Sequence, residues 1–464
     1  MVVTAAWDQR DVSEQARVRD RVLAAWLPMV MSAAPRWTQT ADRLGMAPGQ
    51  ARDREALRRF RPVTELEMLA GDDTGADAVV APTEQQVKAH APVPTLRRLA
   101  ATIGGEGPVD KREVLLRDYR PLQLQRAGID GRFWVASSRT DLDRMHRAGA
   151  RTAAVLGLTE DDVVVSAVRQ APDLAHLATV HLALGASLTA AHPRTTGGYD
   201  EVVAAVRSLR PSVLVVDVDE VETLGRALVD AGAVPPGLRR VVVLGPPPDD
   251  TTRERMAGAF AATGGAVGIL AAWGPAESRL LWAECAPGSG LHTYPDLELL
   301  EVVDPLTAEP VGREDEGELV LTSLGWHGTA LVRFRTGVRV EGVTVEPCPS
   351  CGRTLPRLAG NLEPAAWQLP YTATDVGGVV DLRGIAAVLS HTPGVVDWRV
   401  ELVRGERGDH LRVEVAGDVA EDVYDLQDRL AQVCGMVPEV ELGVPTEDVA
   451  AGVARVGGIF ADLR

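Results

Sequence analysis

Cys348 and Cys351, in "EPCPSCGR", stand three positions apart in a chain that has only four cysteines. A Cys-x-x-Cys turn brings two thiolates within reach of one metal ion. A second pair of suitable type lies upstream in "ECAPGSGLH", where Cys285 and His292 flank a Pro/Gly loop. Three thiolates and one imidazole suit tetrahedral Zn²⁺ with no open position, which is a structural site and not a catalytic one. The alternative is a set of buried free thiols. A thioredoxin-like role fits less well, because the Cys-x-x-Cys pair follows a strand and turn and not the start of a helix. Cys434 falls on or just after an amphipathic helix and reads as core.

Other chemistry-bearing patterns are few. There is no Gly-x-Ser-x-Gly elbow and no Ser-His-Asp order. His176 and His181 stand five apart in "LAHLATVHLA", so they do not share a helical face and read as capping or packing residues. Arg333 and Arg335 alternate on an expected strand. They read first as ion-pair partners, with a grip on a carboxylate or phosphate as the functional alternative.

The elements that must carry these residues follow from periodicity. Residues 1–70 read as helical, with an apolar stripe in "RDRVLAAWLPMVMSA" and a helix, proline break and short helix in "DREALRRFRPVTELEMLAG". Farther on, "DDVVVSAV", "SVLVVDV", "LRRVVVLG" and "AVGILAAWG" are compact apolar runs separated by helical stretches. Repeated βα units with near-continuous apolar strands predict a largely parallel, covered sheet, and so an α/β fold. From about residue 296 the reading changes to period-two strands, "LELLEVVD" and "GELVLTSL". The last hundred residues read as a small α+β module: the helix "DLRGIAAVLSHTPGV", the hairpin "DWRVELVRGERGDHLRVEVAG" and the helix "EDVYDLQDRLAQVCG". The expected domains are 1–360 and 361–464, the second one mobile.

The formal net charge is −17, which repels a nucleic-acid backbone and an anionic membrane surface. No run of eighteen apolar residues and no signal-peptide pattern is present. The expectation is a cytoplasmic protein that binds neither nucleic acid nor membrane. In a reducing compartment a cysteine cluster favours metal over disulfide.

Three motifs in order, "WGPAES" (273–278), "GELVLTSLGWHGTALVRFRTG" (317–337) and "CPSCGRTLPR" (348–357), resemble the adenylate-forming superfamily, most closely its phenylacetate–CoA ligase-like branch. "RRFRPVTELEML" near the start and "FADLR" at the end are also similar to family segments. The resemblance implies a large N-terminal domain of helix-covered parallel sheets with a small β subdomain, followed by a small α+β domain. Active members join a carboxylic acid to coenzyme A through an acyl-adenylate. Some members of the branch carry a comparable Cys/His site, and here both pairs would sit on adjacent turns of one subdomain.

The resemblance also identifies departures. The family's phosphate loop of hydroxylated residues, glycines and a lysine corresponds to "QRAGIDGR" (125–132). Gly128 and Gly131 permit a turn, but Asp130 places a carboxylate where phosphates would lie. At roughly 5 Å and an effective dielectric of about 20, each such like-charge pair costs on the order of 3 kcal/mol. Arg126 and Arg132 offset part of this and could hold a smaller anion, while the plain reading is a solvated β-turn. The acid that holds the ribose in the family follows its Arg-Thr-Gly turn. Here Arg335, Thr336 and Gly337 lead into Val338, whose isopropyl side chain contributes no acceptor. The lysine of the family's final loop corresponds to Val453.

Glu277 matches the magnesium-associated glutamate, Trp273 the usual aromatic position, and Gly274 permits close backbone approach. The plain alternative for Glu277 is an acid at a helix start. His327 lies near the pocket by the same analogy and is the remaining acid/base candidate. Together these features imply a catalytically impaired relative that keeps an acyl pocket and a zinc staple. It would bind a carboxylate or acyl thioester, or pair with a partner enzyme or a second copy. The departures leave ATP with Mg²⁺, and coenzyme A, in doubt as cofactors. The alternatives are an active acyl-CoA ligase with an unconventional phosphate loop, using Arg126, Arg132 and Glu277, and an ATP-independent acyl-transfer enzyme.

Overall fold

The computed structural model of the chain describes residues 7–64, 68, 74–90, 117–127, 133–168, 174–260, 267–305, 307–364, 368–373, 376–381, 385, 388–389, 392–405, 408–449 and 460–462. They divide into two compact units. One comprises 1–302, 311–336 and 340–363, and the other 303–310, 337–339 and 364–464.

The larger unit opens with helices α1 (Val12–Ala33) and α2 (Pro35–Arg43). The Asp11 carboxylate accepts from the Ser13 amide at 2.7 Å and caps α1. Pro35 supplies the fixed φ that starts α2. A two-stranded ribbon follows, β1 (Pro121–Ala127) antiparallel to β2 (Phe133–Ser138). The principal sheet has nine strands. Its parallel part contains β3 (Val163–Ser166), β4 (Thr189–Ala191), β5 (Val213–Asp217), β6 (Arg240–Leu244) and β7 (Gly268–Trp273). The parallel strands lie in the order β7-β6-β5-β3-β4.

Helices α3 (Arg139–Val155), α4 (Leu174–Ala186), α5 (Asp200–Leu209), α6 (Val221–Asp230) and α7 (Asp250–Gly258) alternate with these strands. The expected runs of valine form the strands because both faces are covered. Val164, Val213, Val215, Val242, Leu244 and Leu270 pack with Ala178 and Leu182 of α4 in one core. The α/β class expected from the sequence is the class found.

Beyond β7 the sheet turns antiparallel through four strands of two residues each: β8 (Trp282–Ala283), β9 (Leu291–His292), β13 (Val343–Thr344) and β14 (Arg357–Leu358). A second sheet runs β10 (Glu298–Val303), β11 (Gly317–Ser323), β12 (Phe334–Val340), β15 (Glu363–Pro364).

The period-two strands read from about residue 296 are present as β10 and β11, with β11 buried along its whole length and β10 at all but one position. Glu318 is buried and Glu301 half-buried, and each has an arginine partner. Glu301 pairs with Arg333 at 3.0 Å, and Glu318 accepts from Arg335 Nε at 2.8 Å. A period of two reports alternation of residue type and cannot distinguish solvent from an ion-pair partner.

The smaller unit contains the hairpin ribbons β16 (Gln368–Ala373)/β17 (Val376–Asp381) and β18 (Val395–Gly405)/β19 (Gly408–Gly417), with β20 (Glu439–Leu442) and β21 (Phe460–Asp462) added in parallel. Helix α8 (Val423–Cys434) packs Leu426, Leu430 and Cys434 onto Val400, Leu402, Leu411 and Val413. Cys434 is therefore core. Of the expected helix at 381–395, Ile385, Val388 and Leu389 are helical, and seven of its residues lie outside the described ones. No helix among the described residues is long and apolar enough to cross a membrane.

One buried acid in the larger unit gives this fold a pH dependence. Glu298 of β10 accepts from Trp282 Nε1 at 2.8 Å and from the Tyr294 amide at 2.9 Å. Burial pushes its carboxyl from the ordinary 4.5 up to about 8, and Asp296 adds to the rise. The folded state thus holds a proton that the unfolded state releases. The stabilisation is complete below about pH 4.5 and is lost as pH rises through 8. Glu298→Gln, which mimics the protonated form, should raise the melting temperature relative to wild type at pH 8.5. At pH 4.5 the two should melt together. Equal shifts at both pH values in differential scanning fluorimetry would refute this.

Candidate functional site

The structure brings Cys285, His292, Cys348 and Cys351 together, with their ligand atoms all within 4.8 Å of one another. Cys285 Sγ lies 3.6 Å from Cys348 Sγ, and Cys351 Sγ lies 3.6 Å from His292 Nε2. Two hairpin loops supply the four residues. The β8–β9 loop carries Cys285 and leads into His292, and the β13–β14 loop carries Cys348 and Cys351. Because β9 pairs with both β8 and β14, the loops lie side by side.

Each loop is pinned by backbone bonds. Ser289 Oγ accepts from the amides of Cys285 (3.1 Å) and Ala286 (3.3 Å). The buried Glu284 carboxylate accepts from Arg253 (2.8 Å), the Ala271 amide (2.8 Å) and the Gly288 amide (3.0 Å). In the other loop the Cys348 amide donates to Arg353 O at 2.8 Å, and the Gly352 amide donates to Cys348 O at 2.8 Å. Burial pulls the His292 imidazole down to about 3, helped by the charges of Arg353 and Arg357, so the ring is neutral and offers a lone pair. Burial pushes the Cys285 thiol up to about 12. Burial also works to raise Cys348, but the amides of Cys351 and Ser350 outweigh it and hold that thiol below its ordinary value.

The "WGPAES" turn closes the end of β7. A Cβ on Gly274 would run into the carbonyl oxygen of Leu280, so this position admits only glycine without backbone movement. Ala276–Ser278 form a single 3₁₀ turn after Pro275, and Glu277 is buried within it. Trp273 is half-buried and tilted against Trp282, with centroids 5.5 Å apart. Arg279, next in the chain, has φ 64° and is wholly buried. It donates to Ala136 O (3.0 Å) and Thr329 O (2.8 Å), and its guanidinium lies 4.1 Å from the Trp326 ring centroid. Burial pulls it down only to about 10, so it stays charged at neutral pH.

His327 is buried. Its Nδ1 lies 3.0 Å from Asp118 O, and its ring stacks on Tyr119 at 4.4 Å. Burial holds the imidazole below its ordinary value. The amides of His327 (2.8 Å) and Gly328 (2.7 Å) donate to the Asp141 carboxylate, which also accepts from the Ser138 amide at 2.9 Å. Arg333 donates to Glu301 and to Phe60 O at 2.7 Å. Arg335 pairs with Glu318, and Thr336 Oγ1 donates to Leu319 O at 2.8 Å. Gly337 is exposed on β12 with φ 68°, and Val338 after it is half-buried. Arg126 is exposed on β1, with its guanidinium 5.2 Å from the centroid of Trp134, its cross-strand partner. Gly128, Asp130, Gly131, Arg132 and Val453 lie outside the described residues.

Sequence reasoning missed Arg279, Asp141, Glu284, Ser289 and Arg357. Only Asp141 had a readable signal, the Ser-x-x-Asp of a capping box in "SRTD". The others act through backbone carbonyls and amides that no spacing reveals.

No family model matches the chain. It is similar to a phenylacetate-coenzyme A ligase of Thermus thermophilus, with 28% identity over 269 residues, covering 52% of this chain and 57% of that one. The match thus spans little more than half the length of that relative. In fold it is similar to 2-hydroxyisobutyryl-CoA ligase. Against an open form of that enzyme with 2-HIB-AMP and CoA the TM-score is 0.61 at 17% identity, covering 94% of this chain and 90% of that one. Against its postadenylation state with R3-HIB-AMP the TM-score is 0.60, covering 94% and 88%. The chain is thus similar in sequence, over about half its length, to a phenylacetate-coenzyme A ligase, and shares over nearly all its length the fold of 2-hydroxyisobutyryl-CoA ligase.

Proposed function

We propose that this chain has lost ATP-dependent activation of a carboxylic acid while keeping a pocket for a carboxylate or acyl thioester and a structural zinc centre. The observation that carries the reading is Val338, which directly follows Arg335-Thr336-Gly337 where the resembled ligases place the ribose-binding acid. A charged acceptor contributes about 1.5–3 kcal/mol per hydrogen bond, and an isopropyl group contributes none. Asp130 and Val453 act in the same direction at two other ATP-facing positions. The pocket is inferred from the 2-hydroxyisobutyryl-CoA ligase, whose structures hold acyl-adenylate and CoA.

The donor set fits zinc. With Zn–S near 2.3 Å and Zn–N near 2.0–2.1 Å, a tetrahedral site separates sulfurs by about 3.8 Å and sulfur from nitrogen by about 3.6 Å. The observed Sγ–Sγ and Sγ–Nε2 separations are both 3.6 Å. Four protein ligands leave no open position, so the ion would staple two loops and take no part in bond making. Glu277 is the observation that favours a second reading, a working acyl-CoA ligase, because an acid at that turn is what a magnesium nucleotide would require.

Two measurements test this. Titration calorimetry with ATP–Mg²⁺ should show no saturable heat. Micromolar binding, with pyrophosphate released only when an acid is added, would establish the second reading in its place. Metal analysis of chain purified without chelators should find about one zinc per chain, and below about half an equivalent the metal reading fails.

A further inference from the structure

We propose that Arg357 is the positioning residue of the Cys285/His292/Cys348/Cys351 centre, clamping its two ligand loops together and offsetting its charge. The inference rests on the zinc reading above. Arg357 lies on β14 directly opposite His292 on β9, so the two side chains project from the same face of the sheet. From there its guanidinium reaches both loops. One terminal nitrogen donates to Ser289 O at 2.8 Å, in the loop that carries Cys285. The other donates to Glu346 O at 3.2 Å, in the loop that carries Cys348. One planar fork thus fixes the separation of two segments 57 residues apart in the chain (346 minus 289), and the ligand geometry depends on that separation.

Charge points the same way. The Arg357 side chain is buried, and among the described residues it has no carboxylate partner. A buried cation without a counter-charge is costly. Zn²⁺ with three thiolates and a neutral imidazole carries one net negative charge, the complement the guanidinium needs. Arg353 adds to the positive surroundings of His292 but is itself 3.9 Å from Asp8. Of these two arginines, Arg357 is the one that spans both loops. Lysine would keep the charge but lacks the planar two-point fork.

The test compares full-length wild type, Arg357→Lys and Arg357→Gln loaded with zinc and, separately, with Co²⁺. Arg357→Gln should lose zinc to a chromophoric chelator faster than wild type and bind it about 10–100-fold more weakly, the loss of affinity found when outer partners of metal ligands are removed. Its cobalt absorption bands should shift, and Arg357→Lys should fall between the two. A wild-type chain that takes up metal, with Arg357→Gln matching it in release rate and cobalt spectrum, overturns the clamp and leaves the zinc reading standing. A wild-type chain that takes up neither metal overturns both. If Arg357→Gln does not fold, Arg357→Lys decides: wild-type release and spectrum in that variant overturn the clamp.

Discussion

The carboxylate of Asp141 is the interaction on which the motif-bearing part of the larger unit depends. It accepts from Ser138, where β2 ends and α3 begins, and from His327 and Gly328, which precede β12. The carbonyls facing the other way are taken by Arg279, which binds Ala136 O and Thr329 O. A single acid thus satisfies buried amides and a single guanidinium satisfies buried carbonyls across the same junction. Each such group would cost about 1–3 kcal/mol if buried unpaired. The "WGPAES" turn, β2 and the "GWHGT" segment are consequently one construction, and none can move without uncovering polar backbone in the others.

The Cys285/His292/Cys348/Cys351 cluster meets a different need in the same sheet. The parallel strands β3, β5, β6 and β7 are held by their own apolar faces and covering helices. The antiparallel extension consists of two-residue strands, which bury little and would be marginal by themselves. Glu284, Ser289 and the backbone turn at Cys348–Gly352 order each loop internally. What remains is to hold one loop against the other. The four converging donors and the Arg357 fork sit where that is needed, and Cys285 also packs on the core shared by the parallel strands.

What could be read from the sequence follows from the range of each interaction. The parallel strands were legible because complete burial writes itself as runs such as "VLVVD". The four donor residues were legible because ligand chemistry restricts residue type whatever the fold. The burial of the second sheet was not legible, because the partners of Glu301 and Glu318 are 32 and 17 residues away. Arg279 and Arg357 left no signal, since each works through carbonyl oxygens that any residue could present.

The same distinction bears on the motif residues that remain. Gly274 is required by the Leu280 carbonyl, and Gly328 by the Ala136 carbonyl that a Cβ would strike. Arg335 is occupied with Glu318, and Thr336 with Leu319 O. Each of these has a packing or hydrogen-bonding task that would persist with no nucleotide bound, so their presence is no argument for nucleotide chemistry. A half-buried strand site accepts valine readily, so the residue type at Val338 also answers to the strand that carries it.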